Sequence, residues 1–194
     1  MLRGFVFFLS IIFSSVTSTL VFAEADLQGT WALNEAASDS VKNKIAGVKS
    51  KRKKVFGQSR DRDGRRAEER GSKGRGQQLG PLRKILSAET VRIDGKQEIE
   101  LTFDDEVVRS ITPNRYGRVF SASGKELVKD KFGHTLSYWD AESLVVETMM
   151  ARGGIVIERY QLNEDSTRLV VAISIKTLQS ASIEISKVFE RSTN

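Results

Sequence analysis

Between Ser143 and Arg191 the sequence leaves little choice of fold. Ser143 to Met150 (SLVVETMM), Ile155 to Leu162 (IVIERYQL), Thr167 to Lys176 (TRLVVAISIK) and Ile183 to Arg191 (IEISKVFER) are rich in β-branched and aromatic residues. Arg152-Gly153-Gly154 supplies the positive φ that a tight hairpin needs, and Asn163-Glu164-Asp165-Ser166 is a polar four-residue loop. Four successive strands with exposed edges need further partners, so the meander must continue elsewhere in the chain.

It continues upstream. Asp26 to Leu33 (DLQGTWAL) predicts a short first strand carrying Trp31. Thr90 to Ile93 and Gln97 to Phe103 flank Asp94-Gly95, a hairpin signal, and Ile99, Leu101 and Phe103 alternate with Glu98, Glu100 and Thr102. Glu106 to Thr112 follows across Asp104-Asp105, and then come Arg118 to Ser121, a weak strand around Leu127, and Thr135 to Trp139. Eight to ten short strands without intervening helices predict an all-β domain, an antiparallel up-and-down barrel whose closure removes the edges. Two helical pieces are expected. In Asn34 to Val48, Ser38 or Asp39 caps a short helix with Val41 and Ile45 on one face and Gly47 as its stop, and Pro81 to Leu86 forms a helical turn.

The first 23 residues have the order of a secretory signal peptide: Arg3, the apolar run Phe5 to Phe13, a Ser/Thr stretch and then Val21-Phe22-Ala23. Cleavage after Ala23 and after Ala25 both fit. The apolar run is shorter than the ~20 residues a spanning helix needs. The chain contains no cysteine, so an exported fold of this composition rests on its core without disulfides. A periplasmic or secreted, monomeric protein with no membrane span in the mature chain is the expectation. The domain then divides into residues 26–48 (first strand and helix), an insertion over 49–80, and 81–194 (the remaining barrel).

Charge is concentrated in that insertion. Lys49 to Gly76 holds twelve Lys/Arg against four Asp/Glu, an excess of +8 in a chain whose formal net charge is +6. Residues 49–80 show no periodicity and include six glycines, a composition that predicts a disordered or loosely held segment. Its densest cations, Lys51, Arg52, Lys53, Lys54, Arg65 and Arg66, fit an anionic surface such as lipid, lipopolysaccharide or nucleic acid. A solvated spacer is the favoured reading of them, and Phe56 is the only ring there for base stacking.

Gly29-Thr30-Trp31-Ala32-Leu33, a short helical segment and a meander ending in Phe189-Glu190-Arg191 resemble the calycins, that is, the lipocalins and, more closely, the intracellular fatty-acid-binding barrels. The resemblance implies that Trp31 closes the barrel end beside the basic Arg191. Fatty-acid binders often carry Arg-x-Tyr in the last strand to hold a carboxylate, and here those positions read Lys187 and Phe189. The combination of GTWALN, LVVET, a Gly-Gly hairpin, ERYQL and VFER also looks like a group of small exported proteobacterial proteins of unknown function.

Strand parity nominates interior charges. Val107, Arg109 and Ile111 share a face, as do Ile183, Ile185, Lys187 and Phe189, and Ile155, Ile157 and Arg159 form a third set. A cation inside an apolar barrel needs an acidic partner, so Arg109, Arg159 and Lys187 are candidates for holding the head group of an acidic amphiphile; bulges or rim positions are the other account of them. Two functions follow: in first place a non-catalytic barrel that binds a small apolar or amphipathic ligand, and as the alternative an envelope interaction protein with a solid barrel and a basic loop. No enzyme, metal or cofactor is expected. His134 is the only histidine, and the clusters Asp104-Asp105-Glu106 and Asp140-Ala141-Glu142 fall where hairpin turns are needed.

Overall fold

The computed structural model describes residues 25–46, 80–119, 124, 126–150, 153–177 and 180–192. The expected signal peptide and the basic insertion, with Lys51 to Lys54, Arg65 and Arg66, lie outside the described residues. Ten strands form one antiparallel sheet: β1 (Gly29–Leu33), β2 (Thr90–Asp94), β3 (Ile99–Phe103), β4 (Val107–Ile111), β5 (Val128–Lys129), β6 (His134–Asp140), β7 (Ser143–Met149), β8 (Ile155–Leu162), β9 (Arg168–Thr177) and β10 (Ser180–Arg191). Their order is β4-β3-β2-β1-β10-β9-β8-β7-β6-β5, so every neighbour is sequential except β1 and β10. That one long-range pair curls the meander into an all-β, barrel-like fold.

The ladders follow the periodicities. Down β9 and β10, Leu169, Val171, Ile173 and Ile175 face inward opposite Phe189, Lys187, Ile185 and Ile183, while Arg168, Ala172, Glu184 and Glu190 are exposed. β2, β3 and β4 add Val91, Ile93, Ile99, Leu101, Val107 and Ile111 to the same core. The turns use backbone that most side chains avoid: Asp104 and Asp105 have φ of 49° and 53°, and Gly153 and Gly154 have φ of 80° and 108°. Both aspartates are therefore hairpin residues. Asp104 Oδ1 in addition accepts the Glu89 and Thr90 backbone amides, each at 2.8 Å, and ties the β3–β4 turn to the start of β2.

Three local expectations change. Arg118 and Val119 are not a strand; residues 114–118 turn, and Asn114 makes a single parallel bridge to Tyr138, its amide donating to Ser137 O and its carbonyl accepting from Trp139 N, both at 2.9 Å. This contact meets β6 on the side where the sheet would otherwise stay open. The second change is the weak strand expected around Leu127: β5 is only Val128–Lys129, and Leu127 packs instead with Leu136, Tyr138, Val145 and Ile157 in a second, smaller cluster on the outer face of β6–β8. The third change concerns helix α1, helical over residues 41–46: its cap is Ser40, whose Oγ accepts the Asn43 amide at 3.4 Å, not Ser38 or Asp39.

Ser38 and Asp39 serve β10 instead. Ser38 Oγ accepts the Val188 amide at 2.8 Å and Asp39 accepts that of Ser186 at 2.9 Å, so the approach to α1 is stitched to the outer edge of the last strand. A 3-10 turn (Glu35–Ala37), capped by the Asn34 side chain, lies between β1 and that stitch. Helix α2 (Gly80–Ser87) seats Leu82, Ile85 and Leu86 on the same mouth of the barrel. The described residues before 47 and after 79 thus border one rim.

Candidate functional site

Parity places two cations inside. Arg109 is 2% exposed and Lys187 is 3% exposed, each on the inward face of its strand. Arg159 is a correction to the third expectation. In β8 it is Val156, Glu158 and Tyr160 that are buried, while Arg159 points outward and pairs with Asp140 at 2.8 Å. The apolar series that sets this parity is Val156 and Tyr160, because Ile157 is committed to the outer cluster.

Glu158 is the residue that sequence reasoning missed, and it decides what Arg109 does. Its carboxylate oxygens both stand 3.3 Å from Arg109 Nη1. Arg109 Nη2 donates to Thr135 Oγ1 at 2.8 Å and to Thr148 Oγ1 at 2.5 Å, so β4 is tied across the barrel to β6, β7 and β8 at once. The Tyr160 hydroxyl donates to Glu158 Oε2 at 2.7 Å. Burial pushes the Tyr160 phenol well above its ordinary pKa, and the Glu158 charge adds to the effect, so the hydroxyl remains a donor. The signal for Glu158 was present: it sits two residues from both Val156 and Tyr160, on the face that an interior arginine must answer.

A loop completes this centre. Asp130 lies between β5 and β6 with Oδ2 at 3.6 Å from Arg109 Nε, and Phe132 places its ring 4.9 Å from the guanidinium carbon. Asp130 Oδ1 also accepts the Phe132 and Gly133 amides, which shapes the loop around the arginine. Gly133 is required there: at φ of 144° it lies so close to Met149 O that a Cβ would collide. Arg109 Nε itself is buried without a hydrogen-bond partner.

Lys187 is held differently. Its Nζ donates to Leu86 O at 3.2 Å and Ala88 O at 2.5 Å, the carbonyls where α2 ends, and no carboxylate forms an ion pair with it among the described residues. Burial pulls its ammonium down from 10.5 to about 8, partly opposed by the charges of Asp104 and Glu89. Lys187 forms the floor of a cleft of about 380 Å³ between α1 and α2, with Leu33, Val41 and Leu86 among its walls and Glu35, Asp39 and Glu89 around it.

The opposite end of the barrel matches the expected closure. Trp31 is fully buried and in register with Arg191, whose guanidinium carbon sits 4.4 Å from the centre of the indole. The indole N–H donates to Leu27 O at 3.1 Å and Arg191 donates to Gln28 O at 3.0 Å, which pins residues 25–28 across that end. His134, at the start of β6, is exposed, and among the described residues no three His, Asp or Glu side chains gather to hold a metal ion. No helix of the described residues is long and apolar enough to cross a membrane.

No protein-family model matches the chain, and no curated protein matches it either.

Proposed function

We propose that the protein is an exported, non-catalytic envelope protein whose packed barrel presents the basic segment 49–76 to an anionic polymer or lipid surface. One observation carries the reading: both interior cations are already held by the protein's own groups, Arg109 by Glu158, Thr135 and Thr148, and Lys187 by two backbone carbonyls. A barrel that neutralises its own interior charges does not need an acidic ligand to do so. The densest charge in the sequence is the +8 excess of Lys49 to Gly76. Residues on both flanks of that segment border a single cleft at the mouth, so a long insertion is tethered at one rim. Attraction between a cationic segment and a polyanion depends on counterion release and is screened by salt.

The test is binding of the mature chain to anionic vesicles, lipopolysaccharide and double-stranded DNA. Affinity for one of them should fall at least about tenfold between roughly 50 and 200 mM salt, and deletion of residues 49–76 should abolish it while leaving the circular dichroism of the barrel unchanged. Binding that survives the deletion sinks the reading.

A second reading, a barrel that holds an acidic amphiphile, is favoured by the orphaned Arg109 Nε. Asp130, its 3.6 Å neighbour, stands on a loop, and a ligand carboxylate taking the place of that side chain would complete the guanidinium fork. Native mass spectrometry of protein purified without detergent tests it: a small molecule lost on denaturation supports the second reading, and a clean apo mass removes it.

A further inference from the structure

The proposed function uses Lys187 only as a donor to two carbonyls, and those bonds leave the charge of an ammonium without an ionic partner. An amine that is 3% exposed, donates to two carbonyls and has only the Phe189 ring, 5.1 Å away, to face its charge is poorly placed for an ordinary ammonium, which a carboxylate or water balances better. A neutral amine fits it better: two N–H bonds match the two carbonyls of Leu86 and Ala88, and the lone pair remains. The same residue is among those lining the mouth cleft, the side from which a small molecule would approach the amine.

We propose that Lys187 is a nucleophilic amine at the floor of the mouth cleft and condenses there with a neutral, aldehyde-bearing amphiphile. The ligand class follows from the walls. Leu33, Val41 and Leu86 offer apolar surface for an alkyl chain, and about 380 Å³ lies within the range of small-molecule sites. Glu35, Asp39 and Glu89 surround the entrance, and Lys44 is paired with Asp39 at 3.1 Å, so anionic carbonyl compounds are repelled. Asp104 is a further carboxylate whose charge reaches the amine.

The chemistry balances without an oxidant or reductant. The nitrogen lone pair forms a C–N bond to the aldehyde carbon, and the carbonyl π electrons become an alkoxide that takes a proton from the nitrogen. Loss of water, with one proton from solvent, leaves a C=N iminium that keeps a single N–H. That N–H can stay on Ala88 O, and the negative charges of Glu89 and Asp104 favour the cationic product. The lowered basicity supports the step, because an amine near 8 is neutral at pH 7 far more often than an ordinary lysine and is the more available nucleophile.

The full chain, folded, is incubated with hexanal and sodium cyanoborohydride at pH 7.5, which reduces any iminium to a stable secondary amine, and the labelled lysines are located by peptide mass spectrometry. Lys187 should be hexylated at least about tenfold faster than exposed Lys176, an advantage that disappears in urea. The labelling rate should rise with pH and level off above about 8, the value burial gives this amine. The Val41→Trp variant, which fills the cleft from α1, should slow labelling of Lys187 and leave Lys176 unchanged. Pyruvate, a carbonyl compound with a negative charge, should label Lys187 no better than Lys176. If Lys187 in the folded protein is labelled no faster than Lys176, or at the same rate after Val41→Trp, the proposal is overturned.

Discussion

Arg109 and Lys187 lie in the same barrel and on the same face of the sheet, yet the protein handles them by opposite means. Mid-barrel, Arg109 is neutralised by a carboxylate that is just as buried, Glu158, with two threonine hydroxyls taking the Nη2 donors. At the mouth, Lys187 meets two peptide carbonyls and, at 5.1 Å, the Phe189 ring, and burial lowers its basicity. The residue types suit the two solutions. A guanidinium does not give up its proton in proteins, so burying one obliges the fold to bury an acid with it. An ammonium can be discharged, which makes its burial sensitive to pH.

Breaking the mid-barrel pair has the largest expected effect. Arg109→Ala leaves Glu158 buried with only Tyr160 as a donor, and Glu158→Gln leaves the guanidinium opposed only by Asp130 from the loop. Each should lower unfolding free energy in urea by about 3–5 kcal/mol. The double variant Arg109→Met with Glu158→Leu removes both charges and should recover most of that loss, since an apolar pair is often as stable as a buried ionic one. Thr135 and Thr148 would keep Asp130 and the strand ladder as alternative partners only in part, so recovery short of the parental value is expected. A double variant as unstable as the singles would mean that the guanidinium ties β4 to β6–β8 in a way apolar contact cannot replace.

Lys187 gives a smaller effect with a distinctive pH dependence. Its folded-state value of about 8 lies below its ordinary 10.5, so between these the unfolded chain binds more protons than the folded one. Stability therefore rises with pH across that window, and the full penalty of burying the amine applies below about 8. Lys187→Met removes the titrating group but leaves two carbonyls without a donor. The unfolding free energy of Lys187→Met relative to the parent should fall by about 3 kcal/mol from pH 7 to pH 10.5. A difference that stays constant over this range would mean that Lys187 is held as an ammonium, like Arg109, and that the two regions do not differ.

The contrast also separates what the sequence disclosed from what it did not. Alternation along β4 and β10 was enough to put Arg109 and Lys187 inside, because Val107 and Ile111, and Ile185 and Phe189, fix those faces unambiguously. β8 defeated the same test, since Ile155 and Ile157 on one side balance Val156 and Tyr160 on the other. Only the outer cluster under Leu127 explains why an isoleucine may face away from the core. The segment after β4 was misread for a related reason. Asn114 bonds to β6 as a single bridge, a long-range contact that leaves no periodicity in the local sequence. Lys187's partners are equally invisible: backbone carbonyls about a hundred positions away have no residue type to announce them.

Arg191 provides the third and mildest case, a cation that stays at the surface. It is exposed, in register with Trp31, stacked 4.4 Å from the indole centre, and donates to Gln28 O. Solvent already stabilises its charge, so the stacking adds only what a partly hydrated cation and a π face contribute. Arg191→Met should cost about 1 kcal/mol, mostly from the lost cation–π contact and the one carbonyl bond. Because methionine still covers the buried indole, Trp31 fluorescence should shift little; a large red shift would show that the guanidinium, not the strap of residues 25–28, is what keeps water from that end of the barrel. Arg191→Lys should lie between the parent and Arg191→Met, since an ammonium keeps the charge but not the planar stacking. The order Arg109, Lys187, Arg191 would then follow how completely each cation has been removed from water and how little freedom its partner has to move.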